Sequence, residues 1–518
     1  MTAIAQGDGF ATVPAAPPRA GLSLWGIGIL LAMANFLAVL DVSIANVSVP
    51  TIAGNLGASS SQGTWVITSY AVAEAIMVPL TGWLANRFGA VRVFITAMLG
   101  FGFFSAMCGL SGSLGMLVFF RILQGFCGGP LMPLSQTLLL RIFPKEKHAS
   151  AMGLWAMTTL TAPIAGPMLG GILCDNLGWA SIFWVNVPIA ALCAPVLYGM
   201  LKKHETETMR VRVDVVGLML LVLFVGSLQL MLDLGKEHDW FESSLIWWLA
   251  VIAAIGFGLF MIWELTERDP IVNLRIFRHR GFAAACLTLP LAFGAFQASN
   301  VLIPQWLQLN MGYTATWAGY ISGMTGVLAV VGAPIAARLS GRFDPRILIF
   351  GGVMWLAYVT FMRAGATSQM DFWEIAWWPL IIGIGVPMFF LPLNMVGLGS
   401  VDPEETASAA GLLNFIRTMA GAVATSMVNT LWENNATRNQ AELAGALNDP
   451  EATLALMQQS GLSYDQAVST LTSNVQSQAV VMGTNQLMTL CAVGFAVAAL
   501  TIWLAPRPRA GVDVSAVH

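Results

Sequence analysis

The sequence predicts an all-α integral membrane protein with fourteen transmembrane helices and both termini in the cytoplasm. Of its 518 residues, 57% are hydrophobic and only 10% are charged, and the mean hydropathy is +0.72. Soluble proteins carry about 25% charged residues. The composition therefore excludes a soluble globular domain, a disordered chain and a nucleic-acid-binding protein with a basic face.

The first observation behind this prediction is a series of apolar segments, each about 20 residues long, which is the length that a helix needs to cross a bilayer core of about 30 Å. Barrel strands fit such segments poorly, because they alternate in polarity over about ten residues. The fourteen segments are 24–46, 65–84, 93–113, 115–140, 150–173, 181–201, 215–234, 245–264, 282–305, 316–338, 347–366, 376–397, 409–432 and 480–505.

The second observation is the distribution of the 24 Lys and Arg residues, which orients these segments. With the N-terminus inside, nineteen of them fall in inner loops or at inner segment ends. Three (Lys236, Arg363 and Arg438) fall outside, and Arg121 and Arg417 lie within segments. Basic residues concentrate on the cytoplasmic side of membrane proteins, so both termini are predicted to be cytoplasmic.

A repeated turn predicts two halves. Gly82–Arg92 (GWLANRFGAVR) follows the second segment, and Arg338–Arg346 (RLSGRFDPR) follows the tenth. Two six-helix halves separated by two extra helices give this offset, and repeated halves are typical of secondary transporters. The predicted parts are a disordered cytoplasmic leader (1–23), an N-terminal half (24–201), linkers with two extra helices (202–281), a C-terminal half (282–505) and a cytoplasmic tail (506–518).

One long segment, 433–479, interrupts the C-terminal half on the predicted outer side. Loops of this length are usually functional or disordered. This one contains apolar residues and helix-compatible stretches near 450–460 and 463–477. It is predicted to fold as an outer cap or docking element.

Four charged residues lie well inside the apolar segments rather than near their ends, namely Asp41, Glu74, Arg121 and Arg417. Each costs about 2.5–3.5 kcal/mol on insertion scales. One interpretation is a structural ion pair. The other is function, since a carboxyl group in a poorly hydrated cavity binds a proton more readily than in water. Asp41 and Glu74 would then hold either a proton or a substrate, as an antiporter requires, and Arg121 would tune their protonation, while the role of Arg417 stays open.

Signals of other functions are missing from the sequence. It contains no GxxxxGK[ST] nucleotide-binding motif, which excludes a nucleotide-driven pump. Its five His lie outside the apolar segments, which excludes a haem held by two His within the membrane. No acidic ring suggests a channel. The six Cys lie in apolar stretches without a CxxC pair, as small buried hydrophobic residues do. The sequence therefore predicts no metal and no cofactor.

The repeated turn also carries a family resemblance. GWLANRFG resembles the loop between helices 2 and 3 of the major facilitator superfamily. The residues that carry this resemblance are Gly82, Arg87 and Gly89, together with Arg92 three residues further on. In that family an acid in this loop belongs to a charge relay that holds the inward gate shut. Here Asn86 occupies its place, which puts this relay in question.

Three further motifs resemble the superfamily's fourteen-helix drug:proton antiporters. LVFFRILQGFCGG places Arg121, Gln124 and Gly125 on the proton-coupling positions of helix 4, and LDVSIANVSVP resembles the helix-1 motif with Asp41 as its acid. APIAGPMLGG resembles the exporter-specific motif of helix 5, with Ala162 in place of the usual glycine. Its matching residues are Gly166, Pro167, Gly170 and Gly171.

The resemblance covers residues from about 24 to 505. It implies the major facilitator fold in a 6 + 2 + 6 arrangement and proton-coupled export of lipophilic toxic compounds across a bacterial inner membrane by alternating access. It also implies a periplasmic adaptor and an outer-membrane channel as partners, and no nucleic acid. The alternatives are a metabolite or fatty-acid transporter of the same superfamily and a non-transporting membrane sensor.

Overall fold

A computed structural model describes residues 24–58, 60–208, 214–268, 270–446 and 450–506, so the predicted leader and nearly all of the predicted tail lie outside the described residues. The regular secondary structure of these ranges is helical. The α-helices are α1 (Leu24–Asn55), α2 (Ser60–Gly63), α3 (Trp65–Phe88), α4 (Ala90–Gly109), α5 (Leu114–Gly128), α6 (Leu131–Ile142), α7 (His148–Leu177), α8 (Ser181–Trp184), α9 (Asn186–Leu201), α10 (Val215–Leu234), α11 (Ser244–Thr266), α12 (Arg280–Leu309), α13 (Ala315–Ser340), α14 (Pro345–Arg363), α15 (Phe372–Gly399), α16 (Thr406–Ala446), α17 (Pro450–Gln459) and α18 (Tyr464–Thr501).

Among the described residues, twelve helical stretches are long and apolar enough to cross a membrane. The predicted segments 150–173 and 409–432 lie in the two other long helices, α7 with 30 residues and α16 with 41. The protein is thus an all-helical membrane protein with twelve candidate spans by length and hydropathy. The second part of α16 is polar, which lowers the mean hydropathy of that helix.

Two of the differences between the predicted segments and the structure concern how helices are divided or extended. Segment 115–140 is divided into α5 and α6 around Gly129 and Pro130, since proline has no N–H to continue the helix. The predicted outer segment 433–479 largely continues its neighbours, because α16 extends to Ala446 and α18 begins at Tyr464. A segment predicted from hydropathy ends where the apolar run ends. A helix, in contrast, continues as long as its backbone hydrogen bonds are satisfied.

The helices form two halves and an additional pair. In the first half α1 packs on α7, α3 on α5 and α4 on α9, and in the second half α13 packs on α15, α14 on α18 and α12 on α16. Helices α10 and α11 form the additional pair, and α10 contacts both α3 and α16. The turn between α3 and α4 requires Gly89, whose φ is +94°.

The halves meet along a seam in which α3 packs on α16 and α7 packs on α13. Gly411 lies so close to α3 that an added Cβ would be 2.9 Å from the carbonyl oxygen of Val78, and Gly82 lies against Ser408. Trp155 stacks on Phe390 with their ring centroids 6.1 Å apart. These contacts lie toward the end of the bundle that carries the turn at Gly89, here called the Gly89 end, so the halves are closed at this end.

Helix α7 packs closely on α1 through two glycines of the predicted helix-5 motif. A Cβ at Gly166 would clash with Ser43 and lie 3.2 Å from the backbone nitrogen of Ile44, and a Cβ at Gly170 would lie 3.2 Å from the carbonyl oxygen of Ile44. Gly171 has no neighbour within 4 Å of an added Cβ. Small residues allow such close approach of membrane helices, so two glycines of the motif have a packing role next to Asp41.

We expect Gly166→Ala to destabilise the protein by about 1–3 kcal/mol, because the added methyl group overpacks the contact with α1. Gly171→Ala is the matched control, since both substitutions change helix propensity equally and only the first meets a neighbour. The thermal unfolding midpoints of the two purified variants measure the difference. Equal midpoints would show that the α1–α7 contact does not depend on Gly166.

Candidate functional site

The carboxylate of Asp41 is enclosed within the first half and is 2% exposed. It accepts hydrogen bonds from Nη1 of Arg121 at 2.5 Å, from Nε2 of Gln124 at 3.0 Å and from Nδ2 of Asn186 at 2.6 Å. Charge-assisted hydrogen bonds of this kind are short and strong. Helices α1, α5 and α9 are therefore joined at one buried charge.

Arg121 is held by the same surroundings and is completely buried. Its Nε donates to the carbonyl oxygen of Val66 at 3.0 Å, and its guanidinium lies 4.2 Å from the ring centroid of Tyr70. Removing one partner of a buried ion pair costs about 3–5 kcal/mol, because the other charge remains desolvated. Neither Asp41 nor Arg121 can lose its charge without a rearrangement of the helices around it.

Glu74 lies in a different place, on the face of α3 that turns toward the second half. Val78 and Gly82 follow it at intervals of four residues on the same face, and both contact α16. Glu74 interacts electrostatically with Arg417 of α16 and also with Asp41 and Arg121. The structure thus divides the four predicted charged residues into an ion pair within the first half and a second group at the seam.

Arg417 is enclosed by aromatic side chains from three helices and is 6% exposed. The centre of its guanidinium lies 6.0 Å from the ring centroid of Trp155, 5.8 Å from that of Phe293 and 5.6 Å from that of Phe390. Its Nη2 also contacts the sulfur of Met132. A cation surrounded by ring faces is stabilised electrostatically, and this arrangement spans both halves.

A layer of neutral amides adjoins Arg417 at the seam. Nδ2 of Asn414, one helical turn before Arg417, donates to Oε1 of Gln136 at 2.8 Å, and Nε2 of Gln136 donates to Oδ1 of Asn394 at 3.4 Å. No sequence signal selects these residues, because an uncharged amide within an apolar run resembles ordinary packing. They provide hydrogen bonds that directly join the two halves.

The glycines and polar residues of the predicted motifs have distinct positions. Gln124 binds Asp41, whereas a Cβ at Gly125 would lie 2.5 Å from the carbonyl oxygen of Tyr70, so Gly125 allows α5 to approach α3 beside Glu74. Pro167 lies within α7. Asn86 lies in the last turn of α3, where Arg87 approaches the rings of Trp83 and Phe88.

The turn at Gly89 receives a carboxylate that the sequence analysis missed. Glu205, which follows α9, accepts hydrogen bonds from the backbone N–H groups of Val91 at 2.9 Å and Arg92 at 3.1 Å, and the Nε of Arg92 lies 3.9 Å from its carboxylate. The N-cap of α4 is Gly89, which has no side chain to cap the helix. Glu205 therefore satisfies N–H groups at the start of α4 from more than a hundred residues away, and no local motif indicates it.

Three side chains that could bind a metal lie near the start of α12. The ligand atoms of His279, Asp402 and Glu405 are within 4.8 Å of one another. Both carboxylates already pair with Arg278, at 3.3 Å and 3.1 Å. The group therefore forms an ion-pair network between the start of α12 and the turn before α16, and the absence of a metal and of a cofactor stays a prediction.

Comparisons with known proteins agree on one family. The sequence matches the Major Facilitator Superfamily profile over residues 31–425. It is 42% identical to the multidrug export protein EmrB of Escherichia coli K12, covering 95% of this chain and 97% of that protein. It is 40% identical to the fatty acid resistance protein FarB of Neisseria gonorrhoeae, covering 95% and 98%.

Among solved structures, the fold is similar to that of the proton:xylose symporter XylE, with a TM-score of 0.59 at 14% identity. The match covers 93% of this chain and 96% of that one. A human organic anion transporter gives a TM-score of 0.55 at 14% identity, covering 92% and 99%. These matches support the fold alone.

We expect Glu205→Ala to increase hydrogen exchange at the first amides of α4 about fivefold, because loss of an N-cap costs about 1 kcal/mol. Glu207→Ala, at an exposed position two residues further on, is the matched control. Hydrogen-exchange mass spectrometry of peptides covering residues 90–95 gives the measurement. Unchanged protection in Glu205→Ala would contradict the capping role.

Proposed function

The chain belongs to the major facilitator superfamily, and from this premise we propose that it exports lipophilic toxic compounds and drugs in exchange for protons. Membership of this family makes it a secondary transporter and not an enzyme. Its apolar helices and its relatives identify it as a multi-pass protein of the bacterial inner membrane. The proton gradient supplies the energy in this proposal, without a cofactor.

The proposed topology has fourteen membrane helices in a 6 + 2 + 6 arrangement with both termini in the cytoplasm. The lengths of α7 and α16 support the two additional spans, and the distribution of Lys and Arg supports the orientation. The halves are residues 24–201 and 282–505, with the additional pair between them. In this orientation the Gly89 end is cytoplasmic, and a bundle closed at that end corresponds to the outward-facing state of an alternating-access cycle.

The observation that carries the proposal is the buried pair of Asp41 and Arg121. While Asp41 is ionised, its hydrogen bonds hold α1, α5 and α9 together. A proton on this carboxyl group removes its charge and one acceptor site, which weakens the bond to Arg121 and allows these helices to rearrange. Proton binding and the conformation of the first half are thereby linked.

Glu74 and Arg417 are the proposed substrate-contacting groups, because they occupy the seam between the halves. Glu74 would attract lipophilic cations, and a substrate cation and a proton would compete for it. Arg417 would attract lipophilic anions, while the rings of Trp155, Phe293 and Phe390 receive their apolar parts. Charges of both signs within an aromatic site are suited to a broad range of drugs.

Export of fatty acids is the second candidate function. A relative that is 40% identical bears the name fatty acid resistance protein. The buried guanidinium of Arg417 among three rings fits a carboxylate attached to an apolar chain. This candidate uses the same site and the same proton coupling as drug export, so the two differ only in substrate.

A periplasmic adaptor of the EmrA type and an outer-membrane channel of the TolC type are the proposed protein partners. The proposed docking surface is the outer hairpin formed by the end of α16, by α17 and by the start of α18. It exposes apolar side chains at Leu456 and Tyr464, which are 64% and 58% exposed. In this proposal they belong to a contiguous apolar patch, the kind of surface that marks protein–protein interaction sites.

We expect Asp41→Asn to abolish proton-coupled export, because an amide cannot alternate between a charged and a neutral state. Resistance to toxic compounds in a pump-deficient strain and substrate-driven proton release from vesicles measure the effect. Asp465→Asn, at an exposed position on α18, is the matched control.

The folded amount of the Asp41→Asn protein is measured in parallel by size-exclusion chromatography. If burial of an unpaired Arg121 reduces it, the double variant Asp41→Asn/Arg121→Gln removes both charges and should restore folding but not export. Wild-type proton coupling in either variant would disprove the assignment of Asp41.

We expect Arg417→Gln to reduce export of lipophilic carboxylates about tenfold while export of lipophilic cations is retained, because a charge-assisted hydrogen bond is lost. Arg438→Gln is the control, since Arg438 is exposed and pairs with Glu442. Transport of a cationic and a carboxylate dye in inverted vesicles gives the comparison. An equal loss for both dyes would indicate a structural role for Arg417.

A further inference from the structure

A small cavity lies where α12, α14, α15 and α18 meet, at the end of the bundle opposite the Gly89 end. Its volume is about 10 Å³, and its walls include Trp306, Arg363, Trp378 and Thr484. Arg363 is the last residue of α14 and is only 6% exposed. The cavity belongs to the second half alone and is separate from the seam and from the Asp41–Arg121 pair.

The guanidinium of Arg363 has no counter-charge among the residues that the structure describes. Neither the ion pairs nor the side-chain hydrogen bonds of these residues include it, and no Asp or Glu lines the cavity. The titratable side chain in electrostatic contact with it is the thiol of Cys491, which is uncharged at neutral pH. A buried guanidinium has five N–H donors and is costly without acceptors or an opposite charge.

A second group in the same wall also lacks an acceptor. Trp306 is 1% exposed, and its indole Nε1 has no hydrogen-bond partner within the described part of the chain. The hydroxyl group of Thr484 is already engaged, because it accepts from Trp432 at 3.0 Å and donates to the carbonyl oxygen of Val480 at 2.8 Å. The residues around this one small space therefore include a positive charge without a counter-charge and an N–H donor without an acceptor.

We propose that this cavity binds a single chloride ion. An ion that only accepts hydrogen bonds fits walls that offer donors and a positive charge, whereas a water molecule would leave the charge of Arg363 uncompensated. A volume of about 10 Å³ is close to that of one water-sized probe, which is too small for a phosphate or a lipid headgroup.

The bound ion would stabilise the outer part of the second half. The loop between α14 and α15 is held to α18 by hydrogen bonds from Asn485 to Ala366 at 2.9 Å and from Gln478 to Ser368 at 3.1 Å. Arg363 lies at the start of this loop. Chloride at Arg363 would therefore neutralise a buried charge at the start of this loop, independently of any transport function of the seam.

The test is chloride-dependent thermal stability of the full chain in detergent, with gluconate replacing chloride at constant ionic strength. We expect chloride to raise the unfolding midpoint by about 2 °C with saturation, since a ligand that binds only the folded state stabilises it. Arg363→Met should abolish the chloride dependence, whereas Arg438→Met, at an exposed outer arginine, should retain it.

Trp306→Phe provides a second variant, since it keeps an aromatic ring and removes only the N–H donor. It should weaken the apparent chloride affinity about tenfold, as expected for one hydrogen bond to an anion. Equal midpoints of the wild-type protein in chloride and gluconate would overturn the proposal. An unchanged apparent chloride affinity in Trp306→Phe would also overturn the proposal. This test does not require that Arg363→Met folds.

Discussion

The buried carboxylate of Asp41 imposes the constraint on which the first half depends. A charge in a low-dielectric interior is tolerated only when it is paired and fully hydrogen-bonded, and the donors come from Arg121, Gln124 and Asn186 on two other helices. Beside this charge, Gly166 allows α7 to pack closely on α1 at Ser43 and Ile44. The packing of small residues and the placement of charge are thus parts of one arrangement.

The second pair of charges differs from the first in its position, since Glu74 and Arg417 belong to different halves. Their attraction contributes only while the halves are close, and it changes when the seam opens to water, because the effective dielectric constant rises. Asp41 and Arg121 remain together within one half during such a motion. Opening of the seam therefore does not by itself separate Asp41 from Arg121, whose bond weakens in the proposed cycle only when Asp41 is protonated, whereas the seam exchanges protein contacts for water or substrate.

The sequence predicted what depends on hydropathy and charge, and missed what depends on helix rotation. Apolar length located the twelve candidate spans of the described residues, and the cost of a buried charge drew attention to Asp41 and Arg121. That these two residues contact each other, and that Glu74 does not join them, depends on which way each helix faces. Uniformly apolar runs carry no periodicity that would reveal this orientation. Gln136 and Asn414 were missed for the same reason.

The capping of a helix by a residue distant in the sequence could not be predicted from local sequence motifs either. The loop motif between α3 and α4 has Asn86 where relatives of its family have an acid, and the carboxylate that caps α4 comes from Glu205. In the second repeat the corresponding helix, α14, is capped by the adjacent Asp344, whose Oδ1 accepts from the backbone N–H of Arg346 at 2.9 Å. A similar local structure is therefore stabilised by a local acid in one half and a distant acid in the other.

This difference has a consequence for the two additional helices. Glu205 lies on the connection that leads from α9 to α10, so the N-terminal turn of α4 is bonded to the start of the linker. Helix α10 in turn contacts both halves, and Ser426 of α16 donates to the carbonyl oxygen of Leu232 at 2.8 Å. If the halves rock about the seam, α10 cannot stay fixed to both α3 and α16. One of these two sets of α10 contacts must therefore rearrange during such a motion.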